Sequence, residues 1–265
     1  MRSSRSVSSS TVVTIAENRG KTPIWKEMLR PVRLGAPMMP MDILYEDNHV
    51  LAVNKPAGML VQGDRTGDRS VLDEMKDFIK ARDAKPGNVF LGLPHRLDRP
   101  TSGVLVLAKT SKALSRLTAA FRERDTAKVY WAIVEKAPPA DAGELTDWLR
   151  KDGRTNTSRR TTSGAPGAKE ARLRYRLIGT SDRYWLLEVE LFTGRHHQIR
   201  VQLAAMGCPV KGDLKYGARR SNPGGGICLH ARRLQVAHPT RDAVLNLEAP
   251  PPSEAIWTAF GEDSR

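Results

Sequence analysis

Residues 103–108, with the sequence GVLVLA, are apolar throughout. A continuous apolar run of this length is typical of a strand that is buried on both faces of a sheet. The next segment, residues 111–122, presents apolar or small side chains at helical spacing, namely Leu114, Leu117, Thr118 and Phe121. The chain is therefore expected to place a fully buried strand directly before a helix.

The same two periodicities predict the other elements. Apolar-rich or alternating runs predict strands at residues 42–45, 50–54, 128–134, 170–177, 184–192, 229–236 and 244–247. Helical spacing predicts helices at residues 70–82, with Ser70 and Asp73 at the start, and at residues 197–206, stopped by Gly207. Strands outnumber helices, and many are joined without one. This predicts an α+β (mixed α/β) fold whose largely antiparallel, mixed sheet is flanked by helices and loops.

The first 40 residues differ in character from the rest of the chain. They carry four prolines, mixed charges and little periodicity, so residues 1–40 are expected to form a flexible basic N-terminal extension and residues 41–265 the folded domain. Residues 1–14 are rich in serine and arginine but lack the apolar segment of a secretory signal. Secretion is disfavoured, and a basic tail or an early start codon is favoured over an organelle transit peptide.

Charge is the strongest compositional signal. The 265 residues include 43 Lys and Arg against 29 Asp and Glu, a net charge of +14, which favours a polyanionic partner. No apolar run is long enough to cross a bilayer, so integral membrane proteins are excluded. The two cysteines, Cys208 and Cys228, form neither a disulfide framework nor a Cys-x-x-Cys pair. We therefore expect a cytoplasmic protein.

Two segments have the composition of surface loops, residues 151–169 and 216–226. Both are rich in glycine, serine, threonine and arginine. They are either tolerated insertions or RNA clamps, and clamping is slightly favoured by their arginines, Arg159, Arg160, Arg219 and Arg220.

Common catalytic signatures are missing from the sequence. It has no GxxxxGK[ST] phosphate loop, no GxGxxG, no HExxH and no GxSxG, which disfavours nucleotide hydrolysis, hydride transfer and zinc proteolysis. His196 and His197 are adjacent, and on a helix their side chains would diverge by about 100°, a poor arrangement for one metal ion. No metal site is expected.

One polar cluster directly precedes the buried strand. In residues 93–103 (LPHRLDRPTSG), Asp98 lies between Arg96 and Arg99 at a point where Pro100 and Gly103 restrict the backbone. This setting can hold a carboxylate rigid and charged. Taken alone, the pattern favours a salt-bridged turn aspartate over a catalytic one.

A second cluster occupies residues 193–200 (TGRHHQIR), where a strand leads through a glycine turn into a helix. A helix start offers free N–H donors and a positive dipole end, and Arg195 and Arg200 add two full charges. Binding of phosphate or carboxylate is physically natural here. Considered singly, Arg200 could equally be an ordinary exposed helix arginine.

Together with other segments, these clusters resemble the RluA family of pseudouridine synthases. The matching motifs occur in the family's order at residues 54–61 (NKPAGMLV), 95–103 (HRLDRPTSG), 128–134 (KVYWAIV), 193–200 (TGRHHQIR) and 207–217 (GCPVKGDLKYG). The resemblance runs from about residue 41 to residue 250 and implies a stand-alone catalytic domain with the pseudouridine synthase fold.

The resemblance also implies roles for individual residues. Asp98 would be the catalytic aspartate, Tyr130 would pack on the target base and take part in proton removal, and Arg200 would pair with the aspartate. Arg96 would fill the gap left by the displaced base. Further substrate contacts would come from Arg195, His197 and Ile199. The sequence departs from the family at Gln202, where relatives usually have histidine, and at His196, which leaves substrate choice open.

The implied reaction breaks the N-glycosidic bond of a uridine in RNA, rotates the uracil and rejoins it through carbon 5. It needs no redox change, so no cofactor is implied. The uridine must be swung out of the RNA at a cost of a few kcal/mol. Burial alone would neutralise the aspartate, and the permanently charged guanidinium of Arg200 opposes this.

Several alternatives remain at this stage. A catalytically inactive RNA-binding or ribosome-assembly factor on the same fold is one, and a metal-dependent nuclease is disfavoured because the acidic residues are dispersed. Ribosomal RNA of the large subunit is the first choice of substrate and transfer RNA the second. A monomer with no obligate protein partner is the simplest expectation.

Overall fold

The computed structural model describes residues 14–17 and 41–260. It contains the strands β1 (Thr14–Glu17), β2 (Ile43–Glu46), β3 (Val50–Lys55), β4 (Ser102–Ala108), β5 (Thr126–Val134), β6 (Ala142–Asp152), β7 (Thr157–Thr161), β8 (Lys169–Thr180), β9 (Trp185–Leu191), β10 (Leu229–Ala237) and β11 (Ala243–Glu248). The α-helices are α1 (Val71–Arg82), α2 (Ser111–Glu123), α3 (Gln198–Ala205) and α4 (Ala255–Thr258). Short 3-10 turns occur at Leu214–Tyr216 and Pro223–Gly225.

The described strands form one 11-stranded sheet with the order β2-β3-β4-β10-β5-β9-β8-β6-β7. Strand β11 adds to β10, and β1 adds to β11 with Thr14 opposite Asn246. Strands β4 and β10 pair in parallel, and the other described strand pairs are antiparallel. The predicted α+β fold with a largely antiparallel, mixed sheet is confirmed.

The predicted flexible extension over residues 1–40 lies, apart from β1, outside the described residues. That expectation therefore stays a prediction.

The predicted buried run forms β4, an interior strand of the sheet between β3 and β10. Every residue of β4 is buried, as predicted. Val104 and Val106 join one core cluster with side chains of α2, and Leu105 and Leu107 join another with side chains of α1. Since each face of β4 is covered by a different helix, both faces favour apolar side chains over residues 103–108.

The helix boundaries follow local capping chemistry. Ser70 caps α1, and its hydroxyl and the Asp73 carboxylate exchange hydrogen bonds with each other's backbone N–H in a capping box. Thr110 caps α2 through Ala113 N. The predicted helix at residues 197–206 is shorter at both ends, because His197 adopts a left-handed conformation (φ 53°) just before α3.

The second half of the sheet has its own core. Ile199 and Leu203 of α3 pack with Leu173 of β8 and Val189 of β9. Tyr130 of β5 packs against this cluster and also against the α1 cluster. The boundary between the two cores thus runs through Tyr130.

One expectation about a chain segment was wrong. Residues 151–169 are not a plain loop, since β6 and β7 form an antiparallel hairpin and β6 also pairs with β8. Strand β7 (TSRRT) lies at the sheet edge and the adjoining end of β6 (RKD) is charged, so periodicity did not reveal the hairpin. Beyond Pro250 the chain continues into α4, whose Trp257 is buried against the sheet.

Candidate active site

A buried lysine holds the loop before β4, which carries Asp98, through hydrogen bonds to backbone carbonyls. Lys55, fully buried at the end of β3, donates from Nζ to the carbonyls of Pro56 and Met59 at 2.8 Å and of Arg99 at 3.1 Å. Gly58 N–H also donates to Arg99 O at 2.9 Å. The loops before β4 and after β3 are therefore joined by hydrogen bonds from both a side chain and the backbone.

The arginines next to Asp98 in sequence do not hold its carboxylate. Arg99 donates to Gly58 O and to Asp68, while Arg96 is exposed. The partner is Arg200 of α3, whose Nη1 donates to Asp98 Oδ2 at 3.0 Å. The expectation that flanking arginines keep this carboxylate in place was wrong, because Arg99 binds Gly58 and Asp68 instead and no described ion pair joins Arg96 to Asp98.

A third residue orients Arg200. Asp213 is buried and accepts from Arg200 Nε at 2.6 Å and from Nη2 at 2.8 Å, a bidentate pair. Burial acts to lower the pKa of Arg200, but the hydrogen bonds and charge of Asp213, with those of Asp98, hold this pKa above its usual value. Asp98, Arg200 and Asp213, hereafter the charge triad, keep the guanidinium charged and fixed.

Asp213 was not among the predicted site residues. It lies in residues 207–217, a segment that was used only to support the family resemblance. The motif could therefore have marked Asp213 as a candidate site residue, but nothing in the sequence pairs Asp213 with Arg200.

A neutral imidazole contacts the same carboxylate oxygen. His197 Nε2 lies 3.5 Å from Asp98 Oδ2, and His197 Nδ1 lies 2.7 Å from the Tyr216 hydroxyl. Burial, followed by the charge of Arg200, lowers the pKa of His197 to about 2. Tyr216 accepts from Ser158 N–H at 2.8 Å. With Tyr216 donating to Nδ1, the neutral ring carries its proton on Nε2, which faces Asp98.

The two adjacent histidines are not placed as expected. His197 precedes α3, and its ring stacks on that of His196 at a centroid distance of 3.8 Å. His196 Nδ1 shares a hydrogen bond with Ser158 Oγ of β7 at 2.9 Å. Both histidines therefore join the β6–β7 hairpin to the site.

Tyr130 projects into the cleft from β5. Burial raises its pKa, and the charge of Asp98 raises it further. The phenol is therefore protonated near neutral pH, which favours packing against a base over proton abstraction by a phenolate.

All seven site residues predicted from the sequence line one cleft: Arg96, Asp98, Tyr130, Arg195, His197, Ile199 and Arg200. Leu97, Leu191 and Leu229 supply apolar wall. Thr101 also lines the cleft, and its buried hydroxyl has no hydrogen-bond partner within the described structure. The cleft thus combines apolar walls, a free hydroxyl and a fixed carboxylate, which suits a planar polar ring.

The turn that carries Arg195 is shaped by Gln198, a residue that the sequence did not single out. Gln198 Oε1 accepts from Thr193 Oγ1 at 2.7 Å and from Arg195 N at 2.9 Å. Arg195 Nε in turn donates to Glu170 O at 2.8 Å. The side chain of Arg195 is therefore anchored on β8 at the rim of the cleft.

The described residues contain no group of three or more His, Cys, Asp or Glu side chains placed to hold a metal ion. Within the same residues, no helix has the length and apolar character needed to span a membrane.

Known proteins share both the sequence and the fold. The sequence model of the RNA pseudouridylate synthase family matches residues 49–205. YhcT of Bacillus subtilis, an RNA pseudouridine synthase, is 35% identical over 219 residues, which cover 81% of this chain and 70% of YhcT. Ribosomal large subunit pseudouridine synthase D of Vibrio cholerae is 33% identical, and the match covers 86% of this chain and 73% of that protein.

A solved structure gives the same answer. Human RNA pseudouridylate synthase domain containing 4 superposes with a TM-score of 0.66 at 27% identity, covering 80% of this chain and 88% of the human chain. The predicted RluA-type resemblance is confirmed. The chain therefore belongs to the RNA pseudouridylate synthase family, with the fold and the isomerase class that the resemblance implied.

Proposed function

We propose that this protein converts uridine to pseudouridine in ribosomal RNA of the large subunit, with Asp98 as the catalytic carboxylate. The observation that carries the proposal is the asymmetry of Asp98. Its Oδ2 is held by Arg200 and faces His197, while Oδ1 has no hydrogen-bond partner among the described residues and the side chain is 29% exposed in the cleft. One oxygen is thus fixed and the other is available to substrate.

The reaction is redox-neutral. The bond between N1 of uracil and C1′ of ribose breaks, the base turns, and C5 bonds to C1′; C5 then loses its proton and N1 gains one. Arg200 and the N–H of His197 stabilise Asp98 as an anion, so its free oxygen can add to the ribose or the base, or assist elimination to a glycal.

Tyr130 and Arg96 take the other roles. Tyr130 lines the cleft with a protonated hydroxyl, and stacks on the everted uracil. Arg96 is exposed at the mouth, where its long side chain can occupy the space that the base leaves in the RNA. Arg195, His197 and Ile199 line the same cleft and contact the bound nucleotide.

RNA of the large ribosomal subunit is favoured by the relatives. The Vibrio cholerae relative is named as a ribosomal large subunit pseudouridine synthase, and the net charge of +14 suits a long polyanion. All seven predicted site residues line one cleft of this chain, so the proposed reaction requires no residue from a second protein, and a monomer without an obligate protein partner remains our proposal. We place the protein in the cytoplasm, where such RNA is assembled.

The test is a comparison of pseudouridine maps. Total RNA from cells with and without the gene is treated with carbodiimide and mapped by primer extension, and the deletion is complemented with wild type or with Asp98→Asn. We expect a site in large-subunit ribosomal RNA to vanish on deletion and return only with wild type. Loss of a pseudouridine in transfer RNA instead would overturn the proposed substrate, and an unchanged map would overturn the proposed activity.

A further inference from the structure

Basic side chains without acidic partners gather on one side of the cleft. Among the described residues, no carboxylate lies within ion-pair distance of Arg96, Arg124, Lys128 or Arg195. Two exposed arginines of β8 differ from these four residues in having acidic partners. Arg174 pairs with Glu144, and Arg176 pairs with Glu188. Arg124 and Lys128 have no role in the site described above.

The strand register places Lys128 on the cleft side of β5. Lys128 is two residues before Tyr130 and so shares its face of the sheet. Tyr130 lies opposite Val189 of β9, and continuing this antiparallel register puts Lys128 beside Leu191, which lines the cleft. Lys128 therefore lies at the cleft rim, one step outward from Tyr130.

Packing of α2 places Arg124 at the same rim. The Phe121 ring stacks on His95 at a centroid distance of 4.3 Å, and His95 lies three residues before Asp98. Arg124 follows one helical turn after Phe121, as the left-handed cap of α2 (φ 67°). The end of α2 is thus held against the loop that carries Asp98.

The electrostatics show that these cations act on each other. Burial lowers the pKa of Lys128, and the charge of Arg124 lowers it further. Burial also lowers the pKa of Arg195, as does the charge of Arg124, with a smaller opposing effect of Glu170. Gathering like charges in partly buried positions costs free energy, and a bound anion would offset that cost.

We infer that Arg124, Lys128 and Arg195, hereafter the phosphate subsite, bind a backbone phosphate of the RNA strand next to the everted uridine. The inference rests on the proposed function, because that function supplies the RNA. Arg195 lines the cleft, and the strand register places Lys128 two residues from Tyr130, so the subsite borders the cleft that the base must enter. An anion held there fixes the ribose relative to Asp98.

A phosphate contact of this kind is the same before and during the reaction. It should therefore raise affinity with little change in the turnover of bound RNA, so its loss appears in KM rather than in kcat. Its strength should fall with salt, since each neutralised phosphate of a single strand contributes about −0.7 to the log–log slope of affinity against salt.

The test uses a fluorescein-labelled single-stranded oligouridylate as the binding probe. Lys128→Met keeps the apolar stem and removes the charge, and Arg124→Gly removes a charge at a position whose φ glycine adopts without strain. Lys112→Met is the matched control, an exposed lysine at the other end of α2, about 18 Å along the helix from Arg124.

We expect Lys128→Met and Arg124→Gly each to bind roughly fivefold more weakly and to flatten the salt slope by up to about 0.7. The double variant should add little, because both residues contact one phosphate. Lys128→Arg should restore most of the affinity and the slope. An oligouridylate with uncharged methylphosphonate linkages should bind wild type and Lys128→Met equally.

Wild-type slopes and affinities in both variants, or losses no larger than that of Lys112→Met, would overturn the phosphate subsite. The same holds if Lys128→Arg fails to restore binding. Pseudouridine formation by wild type on ribosomal RNA is scored separately. Wild-type activity with unchanged variant binding would support the proposed function and overturn the subsite. Weaker variant binding without wild-type activity would support the subsite and overturn the proposed function.

Discussion

The two sides of the cleft differ in whether their cationic side chains have acidic partners. On the α3 side, Arg200 is buried and compensated by Asp98 and Asp213 at 2.6–3.0 Å. On the rim beside Tyr130, the phosphate subsite has no compensating carboxylate within ion-pair distance among the described residues. A compensated charge can hold a catalytic group in place without substrate, whereas an uncompensated cation leaves its pairing to a ligand. The first side should therefore govern the rate and the second the affinity.

The largest effect is expected at Asp98. Asp98→Asn keeps the shape of the side chain and a hydrogen-bond acceptor for Arg200 but removes the anion, so kcat should fall by at least about 10⁴-fold. RNA affinity and its salt slope should stay near wild type. Chromatographic nucleoside analysis of digested RNA measures the product, and fluorescence anisotropy measures binding. If Asp98→Asn changed the salt slope of RNA binding as much as Lys128→Met does, the assignment of rate to the α3 side and affinity to the rim would be wrong.

The next effect is expected at Asp213. Asp213→Ala leaves the buried guanidinium of Arg200 without its bidentate partner, which should lower the free energy of unfolding by about 3 kcal/mol. Urea denaturation measures this loss. The control Glu188→Gln removes the charge that pairs with the exposed Arg176 and Arg233 at the surface, and should cost less than about 1 kcal/mol. Equal costs in the two variants would show that Arg200 does not depend on Asp213.

A smaller effect is expected at Tyr216. Tyr216→Phe keeps the ring that contacts the Arg200 guanidinium at 5.0 Å but removes the donor to His197 Nδ1. The Nε2 proton is then no longer fixed toward Asp98, so kcat should fall by about tenfold with little change in KM. Tyr45→Phe, which removes a hydroxyl bonded to Asp47, is the control. A change in KM alone would assign Tyr216 to substrate binding instead.

The smallest effect concerns pH. The pKa of His197 is lowered from 6.5 to about 2, so this imidazole is neutral at every pH between 5 and 8. Its protonation should add no inflection to the pH profile of kcat in that window, and His197→Gln should keep the profile shape while lowering its height. Single-turnover rates across the window test this. An inflection near pH 6.5 that disappears in His197→Gln would contradict it.

Much of the fold could be predicted because its burial is two-sided or strictly alternating. Residues 103–108 of β4 are apolar on both faces because α1 and α2 cover them. The start of α1 is visible in the sequence as the Ser70–Asp73 capping box. The β6–β7 hairpin was missed because the edge strand β7 (TSRRT) is short and polar and the adjoining end of β6 (RKD) is charged, which removes the periodic signal there.

The site was predictable only where motifs carried it. The contact between Asp98 and Arg200 joins residues 102 positions apart, which spacing alone cannot reveal, and the family resemblance suggested it. The resemblance did not assign Asp213 or Tyr216 a role, since each acts through another side chain. Sequence proximity also misled, because Arg96 and Arg99 flank Asp98 but neither contacts its carboxylate.

If the anionic Asp98 held by Arg200 drives isomerisation of a uridine in RNA, the C5 proton must leave the uracil, and a tritium label at C5 must be released to water. A large-subunit ribosomal RNA transcript labelled with tritium at C5 of uracil is incubated with excess wild type, Asp98→Asn or Arg200→Lys. The account predicts that wild type releases tritium to water in one turnover, that Arg200→Lys releases it slowly, and that Asp98→Asn releases none above background. Release by Asp98→Asn at the wild-type rate would contradict it.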